Sequence, residues 1–320
     1  MLWRRLLCTL ILPCASVPPV SGGAAPESIF RRHHNRFNLE WPLRPDEPFE
    51  FMKLAQVIRR LFPHRSEDGL WAVSVGGPDE ATPELKSMPG VAFDIREKML
   101  NQFVRAKQEL GAITPASFAA KVREAVPSQL PFAVLKIDID GFDCSLLEAL
   151  TADGHRPKII IIEAQPSWPP PFVWRLEYST RWAWGAGGDF FYGCSLQAVA
   201  RILRPLGYSL LQYTMEDAWF VRLHGAASLN STFPGLPRAG LTPREAYRRG
   251  NPHFYSPHAM RHKPGGTNMS ALLHGISQQV ELDGGGSPAL LAKLFALFRK
   301  HNGAPAPVPG VPYELGFESI

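Results

Sequence analysis

At 320 residues with 45% apolar side chains, the chain is long enough for one large domain or two small ones with a real core. Its formal net charge is only +5, and the surplus sits in 31–65 and 238–263 without a dense Lys/Arg block interleaved with aromatics, so no nucleic-acid motif is present. A solvated basic surface is the reading of those stretches, with contact to acidic glycans or lipid headgroups as the alternative.

The chain opens Met1-Leu-Trp-Arg-Arg5, a positive start. An apolar run over 6–17 follows, interrupted by Pro13, and then the small residues Ser21, Gly22, Gly23, Ala24 and Ala25. This is the layout of a secretory signal peptide over 1–25, too short for a comfortable membrane span. A retained anchor or a plastid leader is the alternative. Asn230-Ser-Thr and Asn268-Met-Ser are sequons that fit a lumenal or extracellular route. Membrane contact is expected only if the leader stays uncleaved. Cys8 and Cys14 lie in the leader, which leaves Cys144 and Cys194 and excludes a disulfide-built scaffold. Two small buried thiols are expected, with pairing across close strands as the alternative.

Residues 26–48 read as an irregular arm, and 49–62 as a helix stopped by Pro63 that covers one edge of a sheet; the arm and helix together span 26–66. A strand over 70–75 precedes the turn Gly76-Gly77-Pro78-Asp79-Glu80. A second strand over 91–95 carries Asp94 near its end. A helix is expected over 97–110, and another over 116–126 with Thr114 as N-cap and Pro115 at its first position. The strand over 133–139 is apolar on both faces apart from Lys136 and Asp138. Asp138 and Asp140 lie two apart, so on a strand they point the same way. Gly141 breaks the strand, and Asp143 is the expected N-cap of a helix over 145–150. A strand over 158–163 ends in Glu163. A helix starts at Cys194 or Ser195. Strands over 208–213 and 219–223 are close enough for an antiparallel hairpin. The region 225–320 reads as a loop-rich extension with one amphipathic helix over 288–300.

The alternation predicts an α/β domain over 67–224, with a mainly parallel sheet covered on both faces and an antiparallel hairpin at its end. Open α/β sheets bind ligands at the carboxyl ends of their strands. Asp138, Asp140 and Glu163 fall there, and crowded acids call for a cation, a metal or donor groups. Oxygen ligands of this kind suit Mg²⁺, Mn²⁺ or Ca²⁺. Gly76 and Gly77 would let backbone come close to a ligand. Asp94 lies 18 positions after Gly76, near the offset of about 20 in nucleotide-binding βαβ units, where an acid holds ribose hydroxyls. The aromatic stretch Trp168-Pro-Pro-Pro-Phe-Val-Trp174, with Tyr178, Trp182 and Trp184, is expected either to form an acceptor-binding lid or to pack over the sheet edge. His253, His258 and His262 are spaced too loosely for a metal site and read as a solvated loop.

Over roughly 70–223 the chain resembles FkbM-type S-adenosylmethionine-dependent methyltransferases. The resemblance rests on Leu135-Lys-Ile-Asp-Ile-Asp-Gly-Phe-Asp143 followed by Leu146-Leu147-Glu148, on Ile160-Ile-Ile-Glu163 with Pro169-Pro-Pro171, on Tyr192-Gly-Cys-Ser-Leu196, and on Gly207-Tyr208 with Phe220-Val221-Arg222. Thr114-Pro115 also fits a turn of these relatives. It implies a Rossmann-like methyltransferase fold and O-methylation of a small-molecule or saccharide hydroxyl. S-adenosyl-L-methionine would be held by Gly76, Gly77, Asp79 and Asp94. Asp138 or Asp140 would be the base, or Asp138, Asp140 and Glu163 would hold a divalent Mg or Mn ion. The chain departs from the family where an Asp-x-Gly pattern ends the first strand: it has Ser74-Val-Gly76. Two other readings follow from the same residues. One is a non-catalytic protein that keeps the fold and has lost the cofactor loop. The other takes Asp138-Ile-Asp140 as the DxD of a metal-dependent glycosyltransferase.

Overall fold

The computed structural model describes residues 51–79, 82–127, 130–180, 192–214, 216–223, 229–250, 273, 276–277, 280 and 313–318. All of them belong to one compact unit, Glu47–Ile320. The leader, the arm and the helix expected over 288–300 lie outside the described residues, as do Trp182, Trp184 and the three loop histidines.

The strands are β1 (Trp71–Val75), β2 (Gly90–Asp94), β3 (Ala106–Leu110), β4 (Phe132–Ile137), β5 (Ile159–Glu163), β6 (Phe172–Leu176), β7 (Tyr208–Thr214), β8 (Asp217–Arg222) and β9 (Tyr313–Phe317). Seven form one sheet in the order β3-β2-β1-β4-β5-β8-β7. Neighbours from β3 to β5 are parallel, and β8 runs antiparallel to both β5 and β7. This is a mixed α/β architecture with a mostly parallel sheet finished by an antiparallel hairpin. β6 and β9 pair antiparallel in a separate small sheet that the sequence did not announce. The central strands β1 and β5 are buried along their whole length. Burial on both faces matches their largely apolar side chains, each buried Ile of 159–162 stabilising the fold by roughly 1.5–3 kcal/mol.

The helices are α1 (Leu54–Leu61), α2 (Glu97–Leu100), α3 (Pro115–Ala125), α4 (Asp143–Ala152), α5 (Leu196–Leu203), α6 (Leu229–Thr232) and α7 (Pro243–Gly250). α3 starts as its sequence requires: Thr114 accepts a hydrogen bond from the Ser117 N–H, and Pro115 opens the first turn. Ser195 caps α5 in the same way through the Ala198 N–H. The segment leading into α1 bonds to the β7 edge. The amide of Gln212, fully buried on β7, accepts from the Met52 N–H and donates to the Met52 carbonyl, both at 2.9 Å.

Three expectations outside the site fail. The helix expected over 97–110 stops at Leu100, and 106–110 becomes β3, paired along its length with β2. Its Lys, Gln and Glu are good helix formers, but pairing on an exposed sheet edge overrides propensity and tolerates polar side chains on both faces. The stretch after 225 is not mainly loop where it is described. Leu229, Phe233, Leu236, Leu241, Ala246 and Tyr247 all join the main core. The Leu241 N–H donates to the Leu210 carbonyl on the β7 edge, and Tyr247 stacks on Tyr213 at 5.6 Å. These helices are too short to leave a periodic signature. Cys144 and Cys194 are not thiols but a disulfide, with Cα atoms 6.1 Å apart. Among the described residues no helix is long and apolar enough to cross a membrane.

Candidate functional site

Strand order reverses between β1 and β4: the chain leaves β1 for β2 on one side and later returns to β4 on the other. That is where an open sheet forms a crevice at its carboxyl ends. Gly76 leaves β1 at φ +86°, and a Cβ there would lie 1.9 Å from the Asp138 carbonyl oxygen, so the two strand ends meet at a glycine. The Gly76 N–H donates to Phe93 and the Asp138 N–H to Val75, each at 2.9 Å. Ser74, buried on β1, donates its hydroxyl to the Gly76 carbonyl at 3.3 Å. A Cβ on Gly77 would run into Met99 Cε at 1.9 Å, so the Met99 tip lies against that face of the turn.

Asp94 closes β2 with its carboxylate buried. It accepts from the Arg96 N–H at 2.7 Å and from Arg96 Nε and Nη2 at 3.2 and 3.4 Å. The Arg96 guanidinium also lies in the field of Asp140 and Asp138. Next to Asp94 in sequence, Ile95 is 71% exposed, and Leu110, the register partner of Asp94 on β3, is 62% exposed.

One lysine organises the turn after β1. Lys136 on β4 is fully buried, and its Nζ is 2.5 Å from Asp138 Oδ2 and 3.1 Å from Asp79 Oδ2, and donates to the Gly77 carbonyl at 3.2 Å. Burial opposes its charge most strongly, but Asp138, Asp217 and Asp79 together outweigh burial and hold it above the ordinary lysine range. Asp79 also accepts from the Thr82 N–H and hydroxyl, each at 2.8 Å. Against the opposing effect of burial, Lys136 and Thr82 keep Asp79 below the usual carboxylate range. Asp217, at the start of β8, hydrogen-bonds Asp79; burial pushes it up to about 7, with Lys136 pulling the other way.

A second group of acids holds the loop after β4. The strand ends at Ile137, so strand alternation does not carry through to Asp140, which takes a left-handed φ of +51°. The expectation that Asp138 and Asp140 share a strand face fails for this reason. Asp143 is not the N-cap. It is the first residue of α4, and its carboxylate accepts from the Ile139 and Gly141 N–H groups at 3.0 and 2.9 Å. Glu163 accepts from the Asp140 N–H at 3.2 Å. The fully buried Asp143 is held above the ordinary range by burial. Glu163 is held well above it by burial, then by Asp143, Asp138, Asp140 and Glu216. Burial and Asp138 also raise Asp140. The Gly193 N–H donates to the Gly141 carbonyl at 2.7 Å, and the adjacent disulfide ties 194 to α4.

The structure thus gathers Gly76, Gly77, Asp79 and Asp138 around Lys136, joins Asp140 to Glu163, and sets Asp94 beside them at the end of β2. It does not assemble Asp138, Asp140 and Glu163 into a metal site. Asp138 turns to Lys136 while Glu163 is engaged with the Asp140 backbone and side chain. The acids whose ligand oxygens lie within 4.8 Å of one another, among the described residues, are Asp79, Asp138 and Asp217. Trp168 and Trp174 pack inside rather than forming a lid: both are buried and stacked at 4.9 Å, and Trp174 Nε1 donates to the Tyr192 carbonyl. Sequence reasoning missed Lys136, Asp217 and Arg96 as site residues. Lys136 left a signal, a charge inside an apolar strand two places before an acid; Asp217 and Arg96 left none.

No family model matches the chain, and no curated protein matches it. Among solved structures it is similar to a hemolysin-like protein from Streptococcus thermophilus, at 12% identity and a TM-score of 0.34, covering 63% of this chain and 73% of that one. A likeness of that degree fixes neither fold nor activity.

Proposed function

We propose that the chain is an S-adenosylmethionine-dependent O-methyltransferase of a Rossmann-like, FkbM-type fold. One observation carries the reading: the Gly76 turn, Asp94 and the Asp138–Asp140 loop share one end of the sheet, at the point where strand order reverses. The parallel sheet finished by a hairpin is the arrangement the family resemblance implies. Asp94 would take the ribose hydroxyls, displacing the Arg96 fork. The exposed Ile95 and Leu110 would take the face of the base, and the backbone of Gly76 and Gly77 would flank the methionine part. S-adenosylmethionine, when bound, supplies a methyl group already activated on a sulfonium.

The chain's own residues then have to orient an acceptor hydroxyl, exclude water and take its proton. Asp138 is committed to Lys136, so the base is Asp140, whose carboxyl is raised by burial and by Asp138 toward the pH at which a base works best. The acceptor is a small-molecule or saccharide hydroxyl. The disulfide supports a secretory route.

The acidity of the crevice favours this reading over a glycosyltransferase. Asp94, Asp138 and Asp140 suit a cationic sulfonium and repel a diphosphate. The first acid of Asp138-Ile-Asp140 is already paired with an ammonium. The non-catalytic reading has its own support in the Arg96 fork on Asp94 and in Met99 against Gly77. Thermal shift on the full chain separates the readings. S-adenosylhomocysteine should raise the melting temperature and UDP with Mn²⁺ should not. The reverse result would favour the glycosyltransferase, and no shift with either the non-catalytic protein.

A further inference from the structure

The carboxylates of Asp79, Asp138 and Asp217 have the spacing of a divalent-metal site. Their ligand oxygens lie within 4.8 Å of one another, a span that two oxygens reach across one ion at metal–oxygen distances of about 2.0–2.6 Å. The donor set is all oxygen and would suit Mg²⁺, Mn²⁺ or Ca²⁺. A metal nevertheless does not fit here, because the chain has put its own cation on these oxygens. Lys136 Nζ touches Asp138 and Asp79, and its side chain has no exposed surface through which to withdraw. An ammonium has three N–H donors, and Asp138, Asp79 and the Gly77 carbonyl are the partners within reach. A divalent ion in the same place would meet that charge in a desolvated setting, where repulsion is strong.

We propose that Lys136 is the resident cation of this carboxylate cluster and makes the crevice independent of metal. The ammonium holds together segments that are distant in sequence. Gly77 and Asp79 come from the turn after β1, and Asp138 from the end of β4. Asp217, at the start of β8, joins through its hydrogen bond to Asp79 and its attraction to Lys136. In the sheet register Ser74 sits directly beside Lys136 on the neighbouring strand. The serine hydroxyl turns to the Gly76 carbonyl, so the negative charge facing Lys136 on the β1 side comes from Asp79 in the turn. Lys136 acts as a positioning residue for the turn, and the inference stands whether or not the crevice transfers methyl groups.

The experiment is Mn²⁺ titration of the full chain at pH 8, followed by the electron paramagnetic resonance of the free ion. The wild type, Asp217→Asn, Lys136→Ala and the Lys136→Ala/Asp217→Asn double variant are compared. Wild type should take up no stoichiometric Mn²⁺. Lys136→Ala should bind one ion per chain at least roughly tenfold more tightly, and Asp217→Asn in that background should abolish the gain. If Lys136→Ala is unfolded in chelator, added Mn²⁺ should restore its circular dichroism. Stoichiometric Mn²⁺ uptake by wild type that Asp217→Asn removes would overturn the inference. So would a folded Lys136→Ala that gains no Mn²⁺, or an unfolded one that Mn²⁺ does not rescue.

Discussion

Removing the Cys144–Cys194 cross-link should be among the most damaging changes the fold can suffer. Both cysteines are buried, and 50 positions separate them. Closing a loop of that length removes on the order of 14 cal/mol/K of entropy from the unfolded chain, about 4 kcal/mol at 25 °C. That is a large share of the roughly 5–15 kcal/mol that holds a domain together. The bond also has a local role. It ties α4, whose first residue Asp143 suspends the loop after β4, to the strap whose Gly193 N–H bonds Gly141. The assay is urea unfolding of the oxidised full chain against the same protein in phosphine reductant, with Cys144→Ala/Cys194→Ala alongside. The double variant loses two buried sulfur atoms as well, roughly 0.8 kcal/mol each if they count as methylenes. Reduction should lower the unfolding free energy by about 4 kcal/mol and the double variant by somewhat more, with a steeper denaturant slope as the unfolded chain expands. Peptide mapping of unreduced protein that finds Cys144 and Cys194 free, or a loss on reduction below about 1 kcal/mol, would refute the reasoning.

Stability should fall as pH rises from 4 to 8. Asp143, Glu163 and Asp217 keep protons in the folded state that an unfolded chain releases near pH 4. Their contribution is therefore complete below that pH and is lost as each is passed, for Asp217 near 7. Asp79, held low, works the other way: its contribution is lost only as pH falls through its depressed value. Thermal melts at steps of pH should show the decline, and Asp217→Asn should flatten the part between 4 and 7; a variant slope equal to wild type would remove Asp217 from the account. Gly76→Ala should cost about 2–3 kcal/mol, because its Cβ meets the Asp138 carbonyl and its φ is positive. Gly69→Ala, with nothing within 4 Å, should stay within about 0.5 kcal/mol of wild type. Equal melting temperatures for the two variants would mean that the strand ends do not meet as described.

The sheet was largely legible because its strands obey local rules. Buried central strands leave unbroken apolar runs, as in Ile159–Glu163, and Thr114-Pro115 and Ser195 announce their helices through cap chemistry. β3 was not legible, because an edge strand of Lys, Gln and Glu is strand only through its partner β2. β9 was hidden for the same reason, since its pairing with β6 spans the length of the chain between them. At the site, residue types at strand ends pointed to the acids, but period-2 reasoning failed once β4 ended at Ile137 and Asp140 turned left-handed. Asp143 looked like a cap because Asp before a helix usually is one. Its two bonds run backward to Ile139 and Gly141, a choice set by the Gly141 turn rather than by the helix. The partnership of Lys136 with Asp79 and Asp217 crosses three segments, and no spacing in the sequence encodes it.

The central claim is that the ends of β1 and β2 form a cofactor site. Calorimetric titration of the full chain with S-adenosylhomocysteine, with Asp94→Ala alongside, tests it most directly. The account predicts micromolar binding by wild type that the variant loses while keeping its fold. A folded wild-type protein that binds nothing, or a variant that binds as well as wild type, would contradict it.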